Sequence, residues 1–145
     1  MISTERLQRE RKDILDTHLM AFIGFNQFEF SRGQSTLSLI VDAKGTSPHN
    51  KMHAGVVYML CEVACYTAVL HDLEEEEMAT TIDSHFNFLR PVIPGERLEI
   101  RGKLLRRGQH MAFMEAEAFV NGKQVARAAV TKAIITKHYP RVPDV

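Results

Sequence analysis

The stretch from Ala54 to Leu70 limits what this chain can fold into more than any other part of the sequence. It is apolar at nearly every position, and its one charged side chain is Glu62. A surface helix would show a polar face at the 3.6-residue period. None is present, so the helix must be covered by other structure on most sides. Interrupted by Glu62, the segment reads as a buried helix from about His53 to His71 more readily than as a membrane span.

The flanking sequence supplies the cover. Phe22, Phe25, Phe28 and Phe30 lead to Gly33, and Leu37, Leu39 and Val41 then alternate, which predicts two strands joined by a turn at Ser31-Arg32-Gly33. Ala43 to Met52 is a loop rich in turn formers. Beyond the helix, Ala79–Leu89, Arg97–Arg106, Met111–Val120 and Gln124–Thr136 read as strands. The breaks between them are Pro91, Pro94 and Gly95, then Gly108, then the hairpin pair Asn121-Gly122. The expected class is α+β: an antiparallel sheet of about six strands packed on one long central helix. Before it, Leu7, Ile14, Leu15 and Leu19 among many charges predict one amphipathic helix within residues 1–20. Glu74 to Glu77 reads as a solvated acidic patch. Nothing divides the 145 residues, so a single domain over 1–145 is expected, with residues 138–145 a flexible tail.

Eighteen basic residues balance eighteen acidic ones, which argues against a general nucleic-acid binder. Cys61 and Cys65 lie inside the apolar helix and suit free thiols in a reducing cytosol. The charged N-terminus lacks the apolar core of a signal peptide. A cytoplasmic protein with no membrane partner is expected. His49 and His53 are four apart, but His49 lies in a Pro-Asn loop and no His-Glu-x-x-His occurs, so no metal site is expected.

Glu62 carries the functional reading. Burying an ionised carboxylate without a partner is very costly, and no basic residue lies within two turns of it on the helix. It is either a structural carboxylate paired with an Arg or Lys from elsewhere, or a carboxylate aimed into a cleft. His53-Ala54-Gly55 begins the same helix. First-turn N–H groups lack intrahelical acceptors and, with the helix dipole, suit an oxyanion. Nine residues separate His53 from Glu62, ~2.5 turns, so the two are expected on opposite sides of the helix. Two helices side by side and antiparallel would place one chain's helix start against the other's Glu62. That favours a homodimer with shared sites.

The stretch Pro48-His49-Asn50-Lys51-Met52-His53-Ala54-Gly55-Val56-Val57-Tyr58-Met59-Leu60-Cys61-Glu62 resembles the central-helix motif of hot-dog thioesterases of the phenylacetate-pathway (PaaI) and 4-hydroxybenzoyl-CoA types. Asn87-Phe88-Leu89-Arg90-Pro91 with Gly95 and Leu98 resembles their next strand and turn; Gly108-Gln109 and Val125-Ala126-Arg127-Ala128 resemble their last hairpin. The resemblance implies a hot-dog fold, the sheet wrapped around the central helix, and hydrolysis of acyl-CoA thioesters by a homodimer or homotetramer. Glu62 then acts as base or nucleophile, the Gly55 N–H polarises the thioester carbonyl, His53 is the motif His, Asn50 the loop Asn, and Thr81 holds the water. Ala54 replaces the family's first Gly, and the loop is short, so His49 could take the place of Asn50. Arg90, Arg106 and Arg107 are candidates for the coenzyme A phosphates. No separate cofactor is implied, since coenzyme A enters as part of the substrate. The other readings are an acyl-CoA hydratase or dehydratase and a non-catalytic acyl-CoA-binding module.

Overall fold

The computed structural model describes residues 1–136; the expected flexible tail, 138–145, lies outside them. Its elements are α1 (Thr4–Leu15), α2 (His18–Ile23), β1 (Gln27–Ser31), β2 (Gln34–Ile40), α3 (Ala54–Val69), β3 (Met78–Phe88), β4 (Arg97–Arg107), β5 (Met111–Val120) and β6 (Lys123–Ile135). The strands form one antiparallel sheet in the order β1-β2-β4-β5-β6-β3, with α3 packed against it. This is the expected α+β hot-dog arrangement.

The central helix is held close because the strands beneath it carry small residues. A Cβ on Gly102 of β4 would lie 2.3 Å from the Ala64 carbonyl oxygen, so only glycine lets the strand come so near. Ser35 of β2 donates to that same carbonyl at 2.6 Å. Val57, Leu60, Cys61, Ala64, Cys65 and Ala68 of α3 are fully buried against the sheet. α3 with the short turn after it, Ala54–Asp72, is long and apolar enough to cross a membrane by composition; here one face of it packs on the sheet. The hairpin at Asn121-Gly122 has φ of 48° and 76°, both in the left-handed region that a two-residue loop of this type needs.

The N-terminal region differs from expectation. It forms two helices, because Thr17 caps a new one, its side chain accepting from the Met20 N–H. The acidic run keeps Glu74, Glu75 and Glu76 exposed, as expected, but its backbone is engaged. Arg6 of α1 is buried, and its guanidinium donates to the carbonyls of Glu74 (2.9 Å), Glu75 and Glu77 (2.6 Å). The Glu77 side chain pairs with Arg107. The run from Glu74 to Glu77 is thus the dock for α1: its carbonyls take Arg6, and the Glu75 carboxylate accepts from Ser3.

Candidate active site

α3 has one uncovered face. Tyr58, Met59, Glu62, Val63 and Tyr66 are half-buried, whereas the opposite face is in the core, and His53, Ala54 and Gly55 at the helix start are exposed. The spacing 55, 58, 59, 62, 63, 66 is a single helical stripe. Gly55 and Glu62 therefore share a face, two turns and roughly 10 Å apart along the axis. The opposite-sides expectation, drawn from His53, is corrected for the donor itself. Separation along the axis, not orientation, keeps the two from meeting within one chain.

Glu62 has the distant partner that a buried acid requires. Lys132 of β6, its side chain 3% exposed, reaches Glu62 Oε2 at 2.8 Å, while Glu62 is 21% exposed. Thr81 of β3 lies 2.8 and 2.9 Å from the two carboxylate oxygens, and Lys132 Nζ lies 2.6 Å from Thr81 Oγ1. Both readings of Glu62 thus hold together. It is ion-paired from another strand, and it also lines an open cleft of about 460 Å³.

The cleft is walled mainly by apolar groups: Ile14 from α1, Met59, Val63 and Tyr66 from α3, and Ala79 from β3, with Tyr58 at its side. Tyr66 donates to Glu10 of α1 at 2.9 Å, and Tyr58 and Ser84 are 2.5 Å apart, so both rings are fixed. Burial pushes the Tyr66 hydroxyl well above the ordinary tyrosine range, with Glu10 adding to it. The cysteines beside Glu62 are inert for a similar reason. Burial, and then the Glu62 charge, push the Cys61 thiol up to about 12, and burial likewise raises Cys65.

At the helix start, His53 is the N-cap, and its Nδ1 accepts from the Gly55 N–H at 2.9 Å. The predicted carbonyl donor is thus engaged by its own chain's imidazole. Using it on a substrate requires the exposed ring to turn aside. Asn50 stands at φ 55° in the tight loop that pairs Thr46 with Met52, a position asparagine tolerates better than most residues. His49 beside it is exposed.

The three arginines are not brought together. Arg90 is exposed beyond the end of β3, near the start of α3, where the Met52 N–H donates to the Val92 carbonyl at 2.7 Å. Arg106 is exposed at the far end of β4. Arg107 is turned onto the protein: it pairs with Glu77 and donates to the carbonyls of Asp72 (3.1 Å) and Gly108 (2.8 Å). Those contacts make it an anchor for the turn before β3 and remove the basis for its expected phosphate role.

Sequence reasoning missed Lys132, Tyr66 and Ile14. A signal for Lys132 existed. On β6, Ala126, Ala128, Val130, Lys132 and Ile134 all point inward, and the lysine sits in the apolar phase of that alternation.

Comparison with known proteins agrees with this geometry. A sequence profile of the Thioesterase superfamily matches residues 49–126, just over half of the chain. The Haemophilus influenzae thioesterase HI1161 superimposes with a TM-score of 0.79 at 21% identity, over 90% of each chain. The Escherichia coli PaaI protein of the phenylacetic acid degradation operon gives 0.80 at 18% identity, over 93% of this chain and 96% of that one. A hypothetical thioesterase of Streptococcus pneumoniae solved with coenzyme A gives 0.70 at 18% identity, over 79% and 94%. A shorter likeness is to the 3-hydroxyacyl-[acyl-carrier-protein] dehydratase FabZ of Oleidesulfovibrio alaskensis, 40% identical over 50 residues, which span 34% of this chain and 32% of that enzyme. The profile match, the sheet order and the helix that carries Glu62 agree, and the chain belongs to the thioesterase superfamily of hot-dog proteins.

Proposed function

We propose that this protein hydrolyses acyl-CoA thioesters to the free acid and coenzyme A, with Glu62 as the catalytic carboxylate. The observation that carries the reading is the state of Glu62: ion-paired, hydrogen-bonded by Thr81, and open to an apolar cleft next to it. A purely structural pair would have no need of the cleft.

The site takes parts from two chains. Gly55 and Glu62 are too far apart along one helix to meet at one carbonyl. They lie on one stripe, so a second α3 running antiparallel beside the first would bring its Gly55 opposite Glu62, with Tyr58 and Met59 near the two-fold axis. β3 supports this arrangement. It is an eleven-residue edge strand with one side of its hydrogen-bonding groups unpaired in the sheet, and Ile82 is exposed on it. Such an edge is a template for pairing with another copy.

In the reaction, the partner's Gly55 N–H and helix dipole hold the thioester carbonyl oxygen as charge builds on it. Glu62 takes a proton from water as the water oxygen bonds to the acyl carbon, or attacks that carbon itself and is released by water. The C–S bond breaks, and the thiolate leaves as coenzyme A after taking up a proton. Arg90, exposed beyond the end of β3, would meet a phosphate of the nucleotide end, and Arg106 is the second candidate. The unpaired buried thiols fit a reducing, cytoplasmic setting.

The test is release of free thiol from a panel of aliphatic and aromatic acyl-CoAs. Turnover of at least one, lost in a chain that lacks the Glu62 carboxylate, supports the reading. No thiol release from any of them contradicts it. The dehydratase likeness gives a second arm: loss of water from a 3-hydroxyacyl thioester, with the thioester intact, would instead favour that chemistry.

A further inference from the structure

We infer that Lys132 is a positioning residue for the hydrolytic step, holding Glu62 and Thr81 in the one arrangement in which a carboxylate oxygen faces the cleft. The inference rests on the proposed role of Glu62 and adds a residue to it.

The argument is one of donors and acceptors. A lysine ammonium has three donors and no acceptor. Nζ therefore donates to Thr81 Oγ1 at 2.6 Å and to Glu62 Oε2 at 2.8 Å. Its remaining direction is toward the Tyr66 ring, whose centroid is 5.7 Å away. Thr81 has a single hydroxyl proton, and with one lone pair taken by Lys132 that proton goes to Glu62. Direction is thus imposed along the chain from ammonium to hydroxyl to carboxylate. Oε2 receives the ammonium directly and Oε1 does not, which leaves Oε1 the less engaged oxygen. Burial of Lys132 at 3% exposure means that solvent cannot substitute for it.

The arrangement also changes what Thr81 can do. A free threonine hydroxyl could accept from the attacking water and hold it. Here its one proton is committed to Glu62 and one lone pair to Lys132, so it orients the carboxylate and keeps a single lone pair with which to accept from the attacking water. β6 thereby reaches the site from beneath, through a residue that touches no substrate.

Replacing Lys132 should then slow the chemistry and leave binding intact. Lys132→Met keeps the apolar length and removes the donor. The expected result is a fall in kcat of roughly 10- to 100-fold, since small misplacement of a reacting group costs about that much, with KM changed by less than about threefold. Lys132→Ala removes the atoms that propylammonium would replace. That amine should restore part of kcat in a saturable way, and the neutral 1-propanol should not. Wild-type kcat in a folded Lys132→Met chain overturns the inference, as does equal rescue by amine and alcohol. Should Lys132→Ala fold only with the amine present, activity must return with the fold; amine-dependent folding without turnover also overturns it. Failure of the inference alone is recognisable, because wild-type protein would still hydrolyse thioesters and loss of Glu62 would still abolish turnover. A wild-type protein with no thioesterase activity overturns both.

Discussion

Arg6 shows how a single charged side chain can hold two parts of this fold together. Its guanidinium donates to backbone carbonyls of the turn that precedes β3, and it is almost fully buried there. Arg6→Met should leave those carbonyls unmatched and cost on the order of 1.5–3 kcal/mol, the range for hydrogen bonds to charged groups, read from urea unfolding. Arg107 acts nearby in a pH-dependent way. Burial pushes the Glu77 carboxyl up, but the Arg107 contact and the Glu74 N–H pull it down by more, so the net position is below the usual 4.5. A carboxyl held low in the folded state adds stability above its unfolded value and loses it as pH falls through the folded one. Arg107→Met should therefore be less stable than wild type at neutral pH, with the gap narrowing below pH ~4 to what the lost bonds to the Asp72 and Gly108 carbonyls contribute. Arg90→Ala is a different case, since its side chain is exposed. It should raise KM for full-length CoA thioesters with little change in kcat, and do so less for substrates that lack the nucleotide end.

Among the elements, α3 and its seat on the sheet are the most constrained. Gly102→Ala would press a methyl group against the Ala64 backbone and the Ser35 hydroxyl, neither the far end of a flexible side chain. The helix must shift, at a cost of roughly 1–3 kcal/mol, and Glu62 shifts with it. A lower melting temperature together with a lower kcat is expected. The elements were also the most legible part of the sequence. β5 runs from Met111 to Val120 as its alternation indicates, and Asn121-Gly122 forms the hairpin that its dihedral freedom allows. Where the sequence misled, a capping residue or a long-range contact had decided the outcome. One amphipathic helix was expected at the N-terminus, and Thr17 divides it, placing Ile14 of α1 against the cleft. The acidic run is exposed at Glu74, Glu75 and Glu76 as its composition suggests; what it did not show is that the distant Arg6 takes its carbonyls and Arg107 the Glu77 side chain. In the candidate site, Glu62 and the helix start could be read locally, since both lie on one helix. Lys132 is seventy residues from Glu62, and only the packing of α3 on β6 sets them side by side, while the register of β6 against β3 puts Lys132 opposite Thr81. Gly55 and Glu62 could have been placed on one stripe from spacing alone, but counting from His53, which caps the helix from outside, hid it.

At the scale of the whole molecule, the claim is that one chain does not hold a complete site. Glu62→Gln alone is a poor probe, because it leaves the buried Lys132 without its carboxylate; weakening a charge-assisted bond of that kind costs on the order of 1.5–3 kcal/mol. The double change Glu62→Gln with Lys132→Met removes both charges together and should fold more securely. The second half-site is removed by Gly55→Pro, which lacks the N–H, after circular dichroism has confirmed that the helix is retained. Each chain alone should release no thiol from the best substrate. The decisive measurement is thiol release after the two chains are mixed and exchanged. In a random mixture half the dimers are mixed, each with one intact site of two, so activity should recover to about a quarter of wild type. No recovery despite confirmed exchange, or full turnover by the wild-type chain under conditions where it is monomeric, would contradict the shared Glu62 site.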